Sequence, residues 1–194
     1  MRDIEWADGV VTLSPLTLND VDAHLAGEDE LLVRWLNGGP GTPESTRAYV
    51  RHCQEQWLTG GPLRAFGVRV GDGQTLAGTI DVRLAMPGLA PGEANIAYGL
   101  YPAWRGRGLA TRAVDLICRY AAGEGATVGV IRVDPDNPAS EAVARRAGFT
   151  YVRRVQEADG ARDNWYVRDL KGLAAPRRTA RAAPGRLPGA ARLP

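Results

Sequence analysis

Apolar residues recur along the chain with two different periods, and stretches of the two kinds alternate. Between 110 and 121 they fall at i, i+3, i+4, i+7, i+8 and i+11, so they form one stripe on a helix that stops at Gly123. Between 74 and 84, Ile80, Val82 and Leu84 alternate with polar residues, which predicts a strand with one buried face. The alternation of the two periods along the chain predicts a mixed α/β fold.

The remaining elements are predicted from the same patterns and from local start and stop signals. Thr42 followed by Pro43 is typical of an N-cap and a first helical residue, and the GDGQ segment at 71–74 is typical of a hairpin turn. Strands are further predicted at 10–13, 64–70, 94–101, 127–133, 149–155 and 164–170, and helices after 19–20 and over 28–36, 43–58 and 138–147. These elements make up one predicted domain over 1–171.

The segment 172–194 differs from the rest in composition and charge. It holds seven alanines, four prolines, three glycines and five arginines, and it has no acidic or aromatic residue. The chain carries a net charge of +2, so this segment contributes +5 and residues 1–171 carry −3. Such a segment buries too little apolar surface to offset its ordering entropy, so we expect a disordered basic tail. Its spread arginines offer no stacking platform, so a nucleic-acid partner is not expected.

Composition narrows the class of protein. Of the 194 residues, 44% are hydrophobic and 24% are charged, which excludes a collagen-like or disordered chain. No stretch approaches the roughly 20 apolar residues that a membrane helix needs. Cys53 and Cys118 lie far apart and suggest neither a disulfide framework nor a metal site. We therefore expect a cytoplasmic protein without a membrane partner or a metal.

A glycine-containing turn between a strand and the apolar-striped helix carries the clearest chemical signal. In the segment 101–111, Gly106 and Gly108 leave backbone N–H groups exposed at the start of the helix, which suits a phosphate or pyrophosphate. A P-loop would need Lys and Ser or Thr after its last glycine, where Leu109 and Ala110 stand. A dinucleotide fingerprint would need Gly or Ala at Thr111. Neither nucleotide motif fits.

The segment Arg105-Gly106-Arg107-Gly108-Leu109-Ala110 resembles the acetyl-CoA loop of the GNAT N-acetyltransferases, Arg/Gln-x-x-Gly-x-Gly/Ala. Two further segments strengthen the resemblance: 94–100 is similar to the central strand of that family, and 137–149, with Asn137, Ser140 and Gly148-Phe149, is similar to its Asn-x-x-Ser … Gly-Phe segment. The order of elements matches over about 64–170, and the N-terminal helices resemble the RimJ/RimL-like branch. The resemblance implies a mixed, largely antiparallel sheet with flanking helices.

The resemblance also implies how acetyl-CoA binds as co-substrate. The central strand and its neighbour at 127–133 are expected to splay apart after Tyr98–Leu100 and to hold the pantetheine between them. Its amides are expected to pair with backbone groups near Leu100 and Tyr101, and Asn137 and Ser140 to contact the pantetheine arm and the thioester sulfur. The pyrophosphate is expected on the loop and first helical turn, formed by Arg105, Gly106, Arg107, Gly108, Leu109, Ala110 and Thr111.

The implied reaction is direct attack of an amine on the thioester. It needs a base, hydrogen-bond donors for the oxyanion and a group that protonates the leaving thiolate. Relatives commonly place a glutamate three residues before the strand tyrosine, but Asn95 stands there. We predict Glu93, two residues earlier on the same strand face, as the base; Asp81 on the neighbouring strand is the other carboxylate nearby. Relatives also use a tyrosine after the Asn, but 138–147 holds none, so either Ser140 or a water takes that role or the step is unassisted.

The acceptor stays open at this level. Under the resemblance it is the α-amine of a protein or the amine of a small molecule, such as an aminoglycoside-like antibiotic or a polyamine. The loops expected to select it, 37–43 and 85–92, carry no recognisable code. Because the usual glutamate and tyrosine are missing, a non-catalytic acyl-CoA-binding module is the alternative. The protein is expected to be a monomer or a homodimer.

Overall fold

The computed structural model describes residues 4–71, 75–156, 160, 162–173 and 178–180. Within them, strands form one sheet in the order β7-β8-β6-β5-β4-β3-β2-β1-β9, in which β5 and β6 are parallel and every other neighbouring pair is antiparallel. The strands are β1 Ile4–Ala7, β2 Val11–Pro15, β3 Leu63–Val70, β4 Thr75–Arg83, β5 Glu93–Leu100, β6 Val128–Val133, β7 Thr150–Gln156, β8 Arg162–Asp169 and β9 Arg178–Ala180. The predicted mixed, largely antiparallel α/β fold is confirmed.

The helices begin where the sequence signals place them. The helices are α1 Val21–Gly27, α2 Glu30–Leu32, α3 Pro43–Thr59, α4 Leu109–Gly123 and α5 Pro138–Arg146, with short 3-10 turns at Leu18–Asp20 and Pro102–Trp104. Thr42 caps α3 by accepting a hydrogen bond from the Ser45 amide, with Pro43 as the first helical residue, as predicted. The stretch predicted as one helix over 28–36 instead divides into α2 and a π-helical turn, Val33–Asn37, that ends at left-handed Gly38.

Helices cover both faces of the sheet, and the two largest apolar clusters among the described residues lie between helices and sheet. The larger cluster joins the apolar stripe of α4, including Val114, Ile117 and Cys118, to Ile80 and Ile96 on β4 and β5. The smaller one joins α1 and α3 to the opposite face through Val21, Val50, Cys53 and Ala65. Cys118 is fully buried, which confirms its expected place in the core. Successive residues along β4, and along β5, therefore face opposite sides of the sheet, one side covered by α4 and the other by α1 and α3.

The parallel pair β5–β6 diverges after a short ladder. Register pairs run from Glu93↔Val128 to Asn95↔Val130, while β6 stays paired with β8 along its whole length, up to Val133. β5 stays paired with β4 as far as Leu100. The two strands thus follow different neighbours and separate after Asn95, so the predicted opening after Tyr98–Leu100 is wrong by at least three residues.

Two features at the β1 edge of the sheet extend the sequence prediction. The strand β1 was not predicted, since its four residues are too short to show a period. Arg178–Ala180, inside the segment 172–194 predicted to be disordered, pair with β1, whose open edge binds backbone groups whatever their side chains. The rest of that prediction, at 174–177 and 181–194, lies outside the described residues, as do residues 72–74 of the predicted hairpin turn. No helix among the described residues is long and apolar enough to cross a bilayer.

Candidate active site

A cleft of about 1240 Å³ passes through the sheet where β5 and β6 separate. On the face covered by α1 and α3 it is lined by Thr79, Asp81, Arg83, Asn95, Ala97 and Gly99. On the face covered by α4 and α5 it is lined by Tyr98, Gly106, Ala110, Asn137, Ser140 and Val143. Pockets for one drug-sized ligand usually measure roughly 300–1,000 Å³, so this cleft has room for two substrates that meet in the gap.

The predicted anion-binding loop forms one end of the cleft. Gly106 and Gly108 both have φ of +74°, the left-handed region that favours glycine, and Gly108 precedes the first residue of α4. This geometry turns the chain so that the first N–H groups of a 15-residue helix, which lack intrahelical partners, face the loop. Of the predicted residues, Arg105, Gly106 and Ala110 line the cleft. The Leu109 side chain is buried in the larger apolar cluster, and Arg107 lies over the Trp104 ring, 5.2 Å from its centroid; Gly108 and Thr111 are likewise not among the described lining residues.

The Arg105 side chain is engaged within the protein. Its guanidinium donates to both carboxylate oxygens of Asp29, at 2.6 and 2.8 Å, and its Nε donates to the Leu100 carbonyl at 2.8 Å. Asp29 also caps α2 by accepting from the Leu32 amide, and the ion pair lowers the pKa of its carboxyl. The ion pair therefore joins the loop 105–110 to the helical segment 30–37, and it engages the guanidinium within the protein.

The backbone groups predicted to hold pantetheine are also in use. Leu100 offers its carbonyl to Arg105, and the Tyr101 amide donates to the Ala77 carbonyl at 2.9 Å. The Tyr101 bond continues the pairing of β5 with β4, whereas the Leu100 carbonyl is taken by the Arg105 side chain. The stretch of β5 that faces the gap lies earlier, between Asn95 and Leu100.

Residues on α5 and β5 place two hydroxyls in the cleft. Asn137 caps α5 by accepting from the Ser140 amide at 3.0 Å, so its side-chain amide nitrogen is the group left to donate to a ligand. The Tyr98 hydroxyl lies 3.0 Å from both Oγ and the carbonyl of Ser140. Burial raises the pKa of Tyr98 to about 12, so the phenol stays protonated. Sequence analysis predicted Ser140 here but missed its partner Tyr98, although both belong to segments similar to the family pattern.

Asp81 and Asn95, which line the opposite face, each carry a buried oxygen that has no hydrogen-bond partner among the described residues. The two atoms are Asp81 Oδ1 and Asn95 Oδ1. The nearest cation to Asp81 is Arg83, whose Nε lies 3.8 Å from Oδ1. Burial raises the pKa of Asp81 to about 6, while Arg83 lowers it. The polar positions of β4 thus face a helix-covered cleft, and an alternation read from sequence does not distinguish such a cleft from solvent.

Glu93, predicted as the base, does not lie beside Ser140 or Asn137. It is the first residue of β5, and its carboxylate accepts a hydrogen bond from the Ala90 amide at 2.9 Å, which closes the preceding turn. It is not among the described residues that line the cleft. The alternation placed Glu93 on the correct strand face, but β5 carries it to the closed end of the β5–β6 ladder, opposite Val128.

Aromatic and aliphatic side chains form the mouth of the cleft on the α1 and α3 side. Leu31, Trp35 and Leu36 come from the helical segment 30–37, and Tyr49 comes from α3. His24 lines the same region with its Nδ1 2.9 Å from the Tyr101 hydroxyl, and burial lowers its pKa. Trp35 lies beside the 37–41 loop, where an acceptor wall was expected.

Asp134 and Asp136 lie at the other rim, where Asp134 Oδ1 accepts from the Asp136 amide and shapes the turn before α5, as expected. The described residues contain no group of three or more His, Cys, Asp or Glu side chains able to hold a metal ion.

Comparisons with known proteins agree with this geometry. Three solved structures share the fold over most of the chain. RimL, a ribosomal L7/L12 alpha-N-protein acetyltransferase solved with coenzyme A, has a TM-score of 0.72 at 23% identity, covering 86% of this chain and 97% of its own. The microcin C7 self-immunity acetyltransferase MccE, solved with acetyl-CoA and AMP, has a TM-score of 0.70 at 19% identity. The match covers 84% of this chain and 93% of MccE. A GNAT-family acetyltransferase from Bacillus anthracis has a TM-score of 0.71 at 17% identity, and the match covers 86% of this chain and 99% of that one.

No curated protein sequence matches significantly. The model of the family described as "Acetyltransferase (GNAT) domain" matches residues 11–150. That range contains both faces of the cleft, from α1 to α5. The chain therefore belongs to the GNAT acetyltransferase family.

Proposed function

We propose that the protein transfers an acetyl group from acetyl-CoA to a primary amine by direct attack in a ternary complex. The observation that carries the proposal is the cleft that passes through the sheet, with an anion-binding loop on one face and a buried carboxyl on the other. An acyl thioester entering from the α4 side and an amine entering from the α3 side meet in the gap between β5 and β6. Solved relatives with coenzyme A or acetyl-CoA bound support the choice of co-substrate.

Acetyl-CoA is held mainly by backbone groups. The pyrophosphate binds the N–H groups of 106–108 and the first turn of α4, since the Arg105 amide donates to the Pro102 carbonyl and its side chain is paired with Asp29. The pantetheine lies along the part of β5 that faces the gap and accepts a hydrogen bond from the Asn137 amide nitrogen. A backbone N–H of the same stretch polarises the thioester carbonyl and stabilises the oxyanion.

Asp81 is the general base in this proposal, in place of Glu93. It lies in the cleft on the amine side, and its raised pKa of about 6 makes it a stronger base than an exposed aspartate while leaving it mostly ionised at neutral pH. The amine binds in its neutral form, and Asp81 takes a proton from one of its N–H groups as the nitrogen bonds to carbon. The amine nitrogen attacks the thioester carbon, and the bond from carbon to sulfur breaks.

The leaving thiolate is met by hydroxyls on the other face. Ser140 is fixed by Tyr98 at 3.0 Å and donates a hydrogen bond toward the sulfur. Because the pKa of Tyr98 is about 12, this pair stabilises the thiolate by hydrogen bonding rather than by full proton transfer. Final protonation comes from solvent as coenzyme A leaves.

Thiol release from acetyl-CoA with a panel of primary amines tests the proposal. We expect amine-dependent release of coenzyme A and a mass increase of one acetyl group on the amine. Asp81→Asn should lower kcat by at least about 100-fold. Glu93→Gln is the matched control: its amide oxygen still accepts from Ala90, so the turn is kept and activity should change less than about threefold. Loss of activity in Glu93→Gln but not in Asp81→Asn would overturn the assignment of the base, and tight coenzyme A binding without turnover for any amine would favour a non-catalytic binding module.

A further inference from the structure

The two unpartnered oxygens of the cleft lie close to each other on one sheet face. In the register of β4 and β5, Asp81 is opposite Ala97 and Arg83 is opposite Asn95, so Asp81 and Asn95 are diagonal neighbours with side chains on the same face. Asn95 is only 5% exposed. A buried acceptor without a donor is unfavourable, so two such oxygens on residues that line one cleft point to a ligand that supplies two donors as it packs against them.

A primary amine matches this pair better than other nucleophiles. Its neutral form has two N–H bonds and one lone pair in a tetrahedral arrangement. With the two N–H groups donated to Asp81 Oδ1 and Asn95 Oδ1, the lone pair is left to point into the gap. A hydroxyl has one O–H and leaves one of the two oxygens unsatisfied.

The surface around the mouth selects what the amine is attached to. Leu31, Leu36 and Tyr49 are 50%, 37% and 38% exposed, so three of the large apolar side chains exposed in the described part of the chain lie together at this mouth. The helical segment 30–37 is pressed onto β5, because a Cβ added at Gly99 would lie 2.4 Å from Leu32 Cδ2. The apolar mouth is therefore adjacent to the strand that carries Asn95.

An acceptor with several positive charges gains no net attraction from the charges of the cleft. Its lining contains five acidic residues and five arginines, so it has no acidic excess. Two of the arginines lie on the amine side: Arg34, 4.2 Å from the Trp35 ring centroid, and Arg83 beside Asp81. A second ammonium group on the acceptor would meet these cations.

We infer that the acceptor is a primary monoamine with an apolar body, whose nitrogen is held by Asp81 and Asn95 and whose body packs against Leu31, Leu36 and Tyr49. This deepens the proposed function and rests on it for the acetyl transfer. The same chemistry is offered by an aliphatic or aromatic monoamine and by a peptide N-terminus with an apolar first residue. Polyamines and aminoglycosides do not combine a single amine with an apolar body.

Kinetics on the full chain with matched acceptors test the inference. The acceptors are 2-phenylethylamine, ethanolamine, spermidine, 2-phenylethanol and two short peptides that begin with Leu or Asp. We expect kcat/KM for 2-phenylethylamine, or for the Leu peptide, to exceed that for ethanolamine, or for the Asp peptide, by at least about tenfold. Comparing the best small amine with the best peptide identifies the source of the amine. Faster turnover of spermidine or of the alcohol would overturn the inference and leave acetyl transfer itself intact.

Variants distinguish the contribution of the apolar mouth to acceptor selection from that of the Asp81 and Asn95 oxygens. Leu31→Ser with Leu36→Ser should lower the ratio of kcat/KM for 2-phenylethylamine to kcat/KM for ethanolamine at least about tenfold. Leu58→Ser is the control, because Leu58 is 75% exposed on the last turn of α3 and is not among the described cleft residues. Equal loss for all amines in the double variant would contradict the assigned role of the mouth.

Asn95→Leu tests the positioning role of Asn95 with a readout beyond activity. It removes the oxygen at similar volume, so the KM for the amine should rise at least about tenfold while the KM for acetyl-CoA stays unchanged and the melting temperature does not fall. A fall in melting temperature with unchanged amine KM would assign Asn95 a structural role. Calorimetric binding of 2-phenylethylamine against ethanolamine, in the presence of coenzyme A, tests the apolar preference even if no amine is turned over; equal affinities would overturn it.

Discussion

Asp81→Asn should make the protein more stable at neutral pH while removing its activity. Asp81 is a buried carboxyl on β4 whose Oδ1 has no hydrogen-bond partner among the described residues, and Arg83 lies 3.8 Å away. Burial raises its pKa from 3.8 to about 6. The folded state therefore penalises the ionised form that the reaction needs, and an uncharged amide of the same shape avoids that penalty.

The size and sign of the effect follow from the difference in proton binding. A rise from 3.8 to about 6, at about 1.36 kcal/mol per pKa unit, corresponds to roughly 3 kcal/mol. Below pH 3.8 the carboxyl is protonated in both the folded and the unfolded states, so the penalty is absent. Between pH 3.8 and 6 the folded state binds more protons than the unfolded state, so stability falls as the pH rises. Above pH 6 the full penalty applies.

Urea denaturation of both proteins at two pH values measures this difference. At pH 7.5, Asp81→Asn should raise the free energy of unfolding by up to about 3 kcal/mol, or the melting temperature by about 6–12 °C. At pH 4 the gain should fall below about 1 kcal/mol. Comparing the two proteins at one pH cancels the titration of other groups. In parallel, wild-type kcat/KM should decline on the acid side with an apparent pKa near 6.

Two results would refute the reasoning. If the gain in stability were the same at pH 4 and pH 7.5, it would not come from ionisation of Asp81. If the variant were less stable at pH 7.5, Asp81 would be a stabilising ion-pair partner of Arg83 rather than a strained base.

Three further predictions concern the scaffold of the site. A double-mutant cycle of Asp29→Asn and Arg105→Gln, followed by urea denaturation, should give a coupling of about 1 kcal/mol for the ion pair that joins the helical segment 30–37 to the acetyl-CoA loop; strictly additive effects would contradict that link. Ile117→Ala, at a fully buried position of α4, should lower the free energy of unfolding by about 2–5 kcal/mol in the same assay, and a loss below about 1 kcal/mol would show that the core closes over the cavity. Gly99→Ala places a Cβ 2.4 Å from Leu32 Cδ2, so kcat/KM for the amine should fall while calorimetric coenzyme A affinity is kept; weaker coenzyme A binding instead would argue against this division of the cleft.

The sequence predicted the elements with strong periods and clear caps. The helix from Leu109 to Gly123 and the capped helix from Pro43 are set by local patterns, so their bounds agree within one or two residues. The strand Ile4–Ala7 and the π-helical turn Val33–Asn37 were missed, since a four-residue strand has no measurable period and a π turn has no distinct composition.

The candidate site was predictable only where one segment supplies it. The loop geometry at Gly106 and Gly108 follows from local sequence. The pairing of Arg105 with Asp29 joins residues 76 positions apart, and no local pattern indicates it. The choice between Glu93 and Asp81 depended on how far each lies from the end of the β5–β6 ladder, and that is a property of the sheet rather than of either strand.

Because the cleft passes through the sheet, it bears on the order of substrate binding and product release in the proposed ternary complex. With the acetyl donor on the α4 side and the amine on the α3 side, each substrate has its own entrance, and neither must leave before the other arrives. Product release can then proceed in either order, and a bulky acceptor on the α3 side does not obstruct exchange of the nucleotide. In the proposed complex only the thioester carbonyl and the amine nitrogen have to enter the gap between β5 and β6.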